Sequence, residues 1–199
     1  MSRAFTEIEK KRIRVSLIQA MSQEVARKGF RKTSIDNIVR AAGISKGAFY
    51  LFYDSKEMLM LDAIRVAQNE AREDLLSKLS RPNQPPVDVM KQFLESLFDV
   101  FSQNPLMREI SKPEALAELL RGLPEEAIDA EYESDEAFFG SIFKTLKVLG
   151  AVRAADRKVI TGLPRLVLAL VLNQDMIGQE SFSKLKAVLI SAVAKELTR

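Results

Sequence analysis

The chain has 199 residues, 47% hydrophobic and 29% charged, with a formal net charge of +3. That length buries a real core as one large or two small domains, and the balance excludes a disordered or collagen-like polymer. Cysteine and histidine are both absent, which removes disulfide frameworks, thiol nucleophiles, Cys- or His-based zinc sites and the Ser-His-Asp triad.

Apolar positions recur at helical spacing almost throughout, and no stretch alternates as a strand would, so an all-α chain is expected. Ile13, Leu17, Met21 and Val25 step by four along a first helix that ends near Gly29. Ile35, Ile38 and Val39 mark a short second helix behind Thr33 and Ser34; Gly43 stops it, and a third begins at Ser45. A fourth opens at Asp54, where Glu57 three residues later completes a capping-box pattern, and runs through Leu59 and Ala71 towards Leu79. Arg81 to Pro86 is the clearest break in the chain.

Beyond it, Met90, Phe93, Leu94, Leu97, Phe98 and Phe101 form an amphipathic stripe that Asn104-Pro105 interrupts. Pro113 is expected to open a helix closed by Gly122, and Pro124 a long one on which Ile128, Tyr132, Phe139, Phe143 and Leu146 share a face. Two helices remain, about Asp156 to Ile177 and Ser181 to Leu197, with Pro164 a kink in the former or its true start. The count is nine or so: three short helices, then a larger bundle. The longest strongly apolar run without a charge, Leu166 to Gln174, is far short of the roughly 20 residues a membrane span needs. Met1 to Arg14 is polar and basic, so no secretion signal is expected, and a cytoplasmic location is.

Charge is unevenly placed: residues 1–60 carry twelve Lys or Arg against six Asp or Glu, whereas 61–199 carry eighteen against twenty-one. A basic first third fits contact with a polyanion and equally a solvated lysine-rich surface. The local sequence decides between them. In the stretch from Thr33 to Lys56, Ser34 can cap the second helix, and Ala41 and Ala42 allow close helix crossing. Gly43 can turn left-handed, Ile44 plugs the angle between the helices, and Ser45 caps the third. This is a helix-turn-helix, whose second helix fits a DNA major groove and presents free N–H groups towards phosphate. Lys46 adds a cation, Gly47 permits close backbone approach, and Tyr50 offers a phenol.

The order Thr-Ser-Ile-x-x-Ile-Val-x-Ala-Ala-Gly-Ile-Ser-Lys-Gly-Ala-Phe-Tyr, followed by an aromatic and Ser-Lys-Glu-x-Leu, resembles the TetR family of one-component regulators. The resemblance is strong over residues 8 to 64 and rests beyond them on length and helical character. Many members carry Tyr-x-His-Phe where this chain has Tyr50-Leu51-Phe52-Tyr53, so any polar contact from the His position is missing here. The resemblance implies that Thr33 and Ser34 start the second helix near phosphate, and that Ser45, Lys46, Gly47 and Phe49 face the groove. It also implies Tyr50 on phosphate and Lys56 paired with backbone phosphate. Phe52 and Tyr53 read better as core, because three aromatics in five residues cannot all face solvent. Lys10, Lys11, Arg12 and Arg14 fit a phosphate-binding arm or a solvated face equally.

For the rest, the resemblance implies a helical effector-binding and dimerisation domain over 55–199, joined by the fourth helix to a three-helix DNA-binding domain over 1–54. Met90, Phe93, Leu97 and Phe101, with Phe139, Ile142 and Phe143, could line an apolar cavity or be plain core; Asn173 or Gln174 would give a ligand in it a polar contact. Leu166, Leu170 and Ile177 form one apolar helical face and Leu185, Leu189 and Val193 another, which would pair in a four-helix interface between two copies or pack as core. No His, Cys or carboxylate cluster suggests a metal, and no cofactor is expected. Seven acids between Glu125 and Glu136 read as a solvated face. The expected function is that of a homodimeric, non-enzymatic regulator on a palindromic DNA operator, released as a repressor by a small, largely apolar effector. The alternative is a DNA-binding protein of the same fold without an effector, acting through protein partners or DNA architecture.

Overall fold

The computed structural model describes residues 5–80, 83–152 and 157–199. The expected helix start at Asp156 and the first two residues of the Arg81–Pro86 break lie outside them. Among the described residues all regular structure is helical. By contacts the chain forms two compact units: Met1–Asn69 with Pro105–Pro124, and Glu70–Asn104 with Glu125–Arg199. The first is larger than the 1–54 domain expected, since it also takes in part of the fourth helix and two later ones.

The first unit contains α1 (Glu7–Lys28), α2 (Ile35–Ala42), α3 (Lys46–Phe49), the start of α4 (Lys56–Leu79), α6 (Pro105–Ile110) and α7 (Pro113–Arg121). Thr6 and Glu9 form a reciprocal capping box that opens α1. The α1 apolar stripe buries Leu17, Met21 and Val25, and α2 adds Ile38 and Val39 beneath. Phe30 and Phe49 are fully buried with them; each such side chain contributes about 1.5–3 kcal/mol. Ser55, not Asp54, caps α4: its Oγ accepts the Met58 N–H at 3.1 Å. Helix α6 was not foreseen. Its six residues are too few for a periodic signal, yet it packs on α1 and buries Leu106 and Met107.

The second unit holds the rest of α4, α5 (Pro86–Gln103), α8 (Glu125–Val148), α9 (Arg157–Leu172), α10 (Gln174–Ile177) and α11 (Gln179–Thr198). Helix α5 is central, packed on α9 and α11, while α8 packs on α9. Met90, Phe93, Leu97 and Phe98 of α5 meet Ile142 and Leu146 of α8 and Val167 of α9 in one core. The single helix expected over 156–177 is two. It breaks at Asn173, whose side-chain amide donates to the Ala169 carbonyl at 2.7 Å, while Pro164 lies buried inside α9. Arg72 of α4 reaches Asp135 of α8 at 2.6 Å and lies over the Phe138 ring. No helix among the described residues is long and apolar enough to cross a membrane.

Candidate nucleic-acid interface

The two short helices are set by three local devices. Ser34 accepts the Asn37 N–H at 3.3 Å and so caps α2. Gly43 ends it at φ 71°, ψ 30°, where an L residue pays roughly 1–2 kcal/mol. Ser45 accepts the Ala48 N–H at 3.1 Å and starts α3. The turn therefore aims α3 by backbone geometry, while Phe49 anchors it from below. Phe49 is fully buried, with its ring 6.1 Å from Tyr53 and edge-on to Tyr50 at 5.3 Å. This corrects the expectation that Phe49 faces the groove: its side chain belongs to the core.

Ser34, Ser45, Lys46 and Gly47 are exposed, and Tyr50 is half exposed, so these five expected residues are accessible around the turn. Lys46 lies 3.1 Å from Asp36 Oδ1, with both side chains more than half exposed. Such a pair is worth about 0–1 kcal/mol in water, so a phosphate can take the lysine from it. Leu51, which the sequence reading passed over, is 72% exposed beside Tyr50. Helix α3 is a single turn, and its cap already takes one of the free N–H groups expected to meet phosphate.

Two expected contacts are placed otherwise. Thr33 is buried, and its hydroxyl donates to the Gly29 carbonyl at 2.9 Å, closing the α1–α2 turn. Lys56 is only 15% exposed; its ammonium lies 3.1 Å from Glu118 of α7, 3.4 Å from the Phe30 carbonyl and over the Phe30 ring. The α7 carboxylate and a π face satisfy this cation, so it ties the start of α4 to α7 rather than standing open to a phosphate. Tyr53 is buried as expected and donates to Asp62 at 2.5 Å. Burial, and then that bond, push its phenol well above the ordinary tyrosine value, so it remains a donor. Phe52 is part-exposed against Phe5.

The sequence reading also missed Glu109. This α6 carboxylate, buried in the first unit, accepts the Phe30 N–H at 2.7 Å and pairs with Lys112 at 2.6 Å. No sequence signal separates it from the surface acids around it.

In the second unit, Met90, Phe93, Leu97 and Ile142 are buried, while Phe101, Phe139 and Phe143 are partly buried against the same core. Asn173 is apart from them: it is exposed and bonded to its own helix. Leu166 and Leu185 are exposed, whereas Leu170, Leu189 and Val193 pack partly on the core and Ile177 is half-buried on α10.

Residues 17–63 match the family model described as bacterial regulatory proteins, tetR family. The uncharacterized HTH-type transcriptional regulator YerO of Bacillus subtilis (strain 168) is 38% identical over 92 residues, 43% of this chain and 30% of that protein. The chain thus spans about a third of that relative's length. A TetR-family transcriptional regulator structure from Mesorhizobium loti matches with a TM-score of 0.68 at 20% identity, over 96% of each chain. The structure of AibR in complex with isovaleryl coenzyme A and operator DNA matches with a TM-score of 0.62 at 17% identity, over 90% of this chain and 97% of that one. These two likenesses show the fold. The stretch that matches the tetR family of bacterial regulatory proteins is thus the helix-turn-helix segment, residues 17–63.

Proposed function

We propose that the protein is a homodimeric DNA-binding transcriptional repressor, released from a palindromic operator by a small, largely apolar effector. The observation that carries the DNA reading is the capped α2–Gly43–α3 unit, buried through Phe49 and presenting Ser34, Ser45, Lys46, Gly47 and Tyr50 outward. A rigid support beneath and exposed polar groups above are what phosphate positioning and base-edge readout require. YerO, its relative across this region, is described as a transcriptional regulator. The dimer reading rests on exposed apolar side chains along α9 and α11: Val159 and Leu166 on one, Leu185 and Val188 on the other. A monomer rarely leaves such stripes open.

The effector reading is supported by AibR, which carries isovaleryl coenzyme A, and by the apolar second unit of this chain. The effector-free alternative also has an observation in its favour. Met90, Phe93 and Ile142 have no exposed surface, so no water-sized space touches them, and an apolar ligand has to part the helices or enter beside Phe101, Phe139 and Phe143. The test is fluorescence anisotropy on the inverted repeat beside the chain's own coding sequence, titrated with a panel of apolar compounds. Sequence-specific binding that no compound weakens favours the effector-free form; absence of specific binding removes both.

A further inference from the structure

The first unit contains a cleft of about 620 Å³ where the end of α1 and the α1–α2 turn face α6 and the start of α7. Pockets for small molecules span roughly 300–1,000 Å³, so a nucleotide-sized ligand fits. The walls are unlike those of an apolar effector pocket. Arg27, Lys28, Arg31, Lys32, Arg108 and Lys112 line it, with only Glu109 and Glu114 as carboxylates. Its floor includes Gly29, where a side chain would collide with Glu109 Oε1 at 2.8 Å.

Part of this positive charge is answered within the unit. Glu24 takes Arg27 and Lys28 at 2.8 and 2.6 Å, Glu118 takes Arg31 at 3.4 Å, and Glu109 takes Lys112 at 2.6 Å. Lys32 and Arg108 are exposed and pair with no carboxylate among the described residues. They come from segments 76 residues apart in sequence, yet fold onto one concavity. Glu114, exposed at the start of α7, is the opposing charge. Like charges gathered around one cleft repel, and a multivalent anion relieves that repulsion more than scattered chloride does. A guanidinium also offers phosphate a two-pronged contact.

The geometry points to this cleft as a binding site for a small molecule bearing two or more phosphate groups, with Arg108 and Lys32 as its principal contacts. It is separate from the apolar effector region of the second unit and does not depend on it. Its position gives binding a consequence for DNA affinity. The ligand would draw on Lys112, the partner of Glu109, and Glu109 holds the Phe30 N–H in the turn that precedes α2.

The experiment uses the full chain with tripolyphosphate and ADP as probes, magnesium-free, against sodium chloride at matched ionic strength. Calorimetry and thermal unfolding are read for wild type and for the Lys32→Ala/Arg108→Ala double variant. In wild type the probes raise the unfolding midpoint above the chloride control, as a ligand of the native state must. In the double variant affinity falls at least about tenfold, the loss of charge-assisted contacts, while its midpoint in chloride stays level or rises. Lys32→Gln and Arg108→Gln singly replace the double variant if it folds poorly. Three results overturn the site: no probe-specific shift in wild type, an equal shift in both proteins, or a variant defect confined to DNA affinity. The last would make the cations a DNA-backbone contact instead.

Discussion

The Glu109 carboxylate accepts the backbone N–H of Phe30 at 2.7 Å, joining α6 to the α1–α2 turn across 79 residues of sequence. Gly29, one residue earlier, sits at φ 82°, and a Cβ there would lie 2.8 Å from the same carboxylate. The glycine and the acid are therefore one device: the missing side chain is what lets the carboxylate reach the amide. Glu109→Ala leaves a buried donor unpaired, at a cost of about 1–3 kcal/mol. Glu109→Gln keeps an acceptor and is expected to lose less. Gly29→Ala is expected to destabilise by about 1–3 kcal/mol through backbone strain, and by more through the collision with Glu109. Combined with Glu109→Ala it should cost less than the sum, because the collision is gone. Urea unfolding of the four variants measures this, and strict additivity would separate the two residues.

Lys46 of α3 and Lys56 of α4 are expected to behave differently. Lys46→Ala removes an exposed cation whose present partner binds it weakly, so operator and random DNA should both weaken. The slope of log K against log salt should flatten by about one unit. Lys56→Ala should leave that slope unchanged and lower stability, since it takes from Glu118 the closer of its two partners and leaves only Arg31 at 3.4 Å. A double-mutant cycle of Lys56→Ala with Glu118→Ala reads the coupling directly. An altered salt slope for Lys56→Ala would return that lysine to the DNA.

Phe49→Ala is expected to act on folding rather than on base preference. The ring is fully buried and touches Tyr53 and Tyr50, so truncation should cost about 3–5 kcal/mol. Leu51→Ala, on an exposed neighbour, should leave stability within about 0.5 kcal/mol. If either changes discrimination between A·T and G·C at one operator position, it is Leu51. Denaturation midpoints and a base-substitution series on the operator distinguish the two.

The helix-turn-helix was legible because its determinants are local: Ser34, Gly43 and Ser45 act on their own backbone within three or four residues. Orientation around it was not. Phe49 and Lys56 sit at positions whose exposure depends on what packs beside them: Tyr53 in one case, α7 and Phe30 in the other. Glu109 lay outside sequence reasoning for the same reason, since its partner is 79 residues distant. The break at Asn173 carries neither proline nor glycine; a side-chain amide folding back onto Ala169 leaves no signature in hydrophobic periodicity. Ser55 displaced Asp54 as the α4 cap because adjacent capping residues compete and sequence does not rank them.

The same dependence on packing decides where the dimer should be tested. Leu170 and Leu189 both lie on the expected interface faces, but each packs partly on the core of the second unit. A charge at either would damage the subunit as well as any interface, and a monomeric product would mean little. Leu166 and Leu185 are 47% and 57% exposed in the single chain, on α9 and α11. Asp at these positions is solvated in a free subunit, so unfolding of the isolated chain should change by less than about 0.5 kcal/mol. In a two-fold interface the same carboxylate is buried without a partner, which costs several kcal/mol per subunit. Leu166→Asp and Leu185→Asp should therefore sediment as folded monomers at concentrations where wild type is a dimer. They should also lose tight binding to the full inverted repeat while keeping weak, salt-dependent affinity for one half-site. Variants that remain dimeric would move the interface away from these two helices, and a wild type that is already monomeric would remove the dimer altogether.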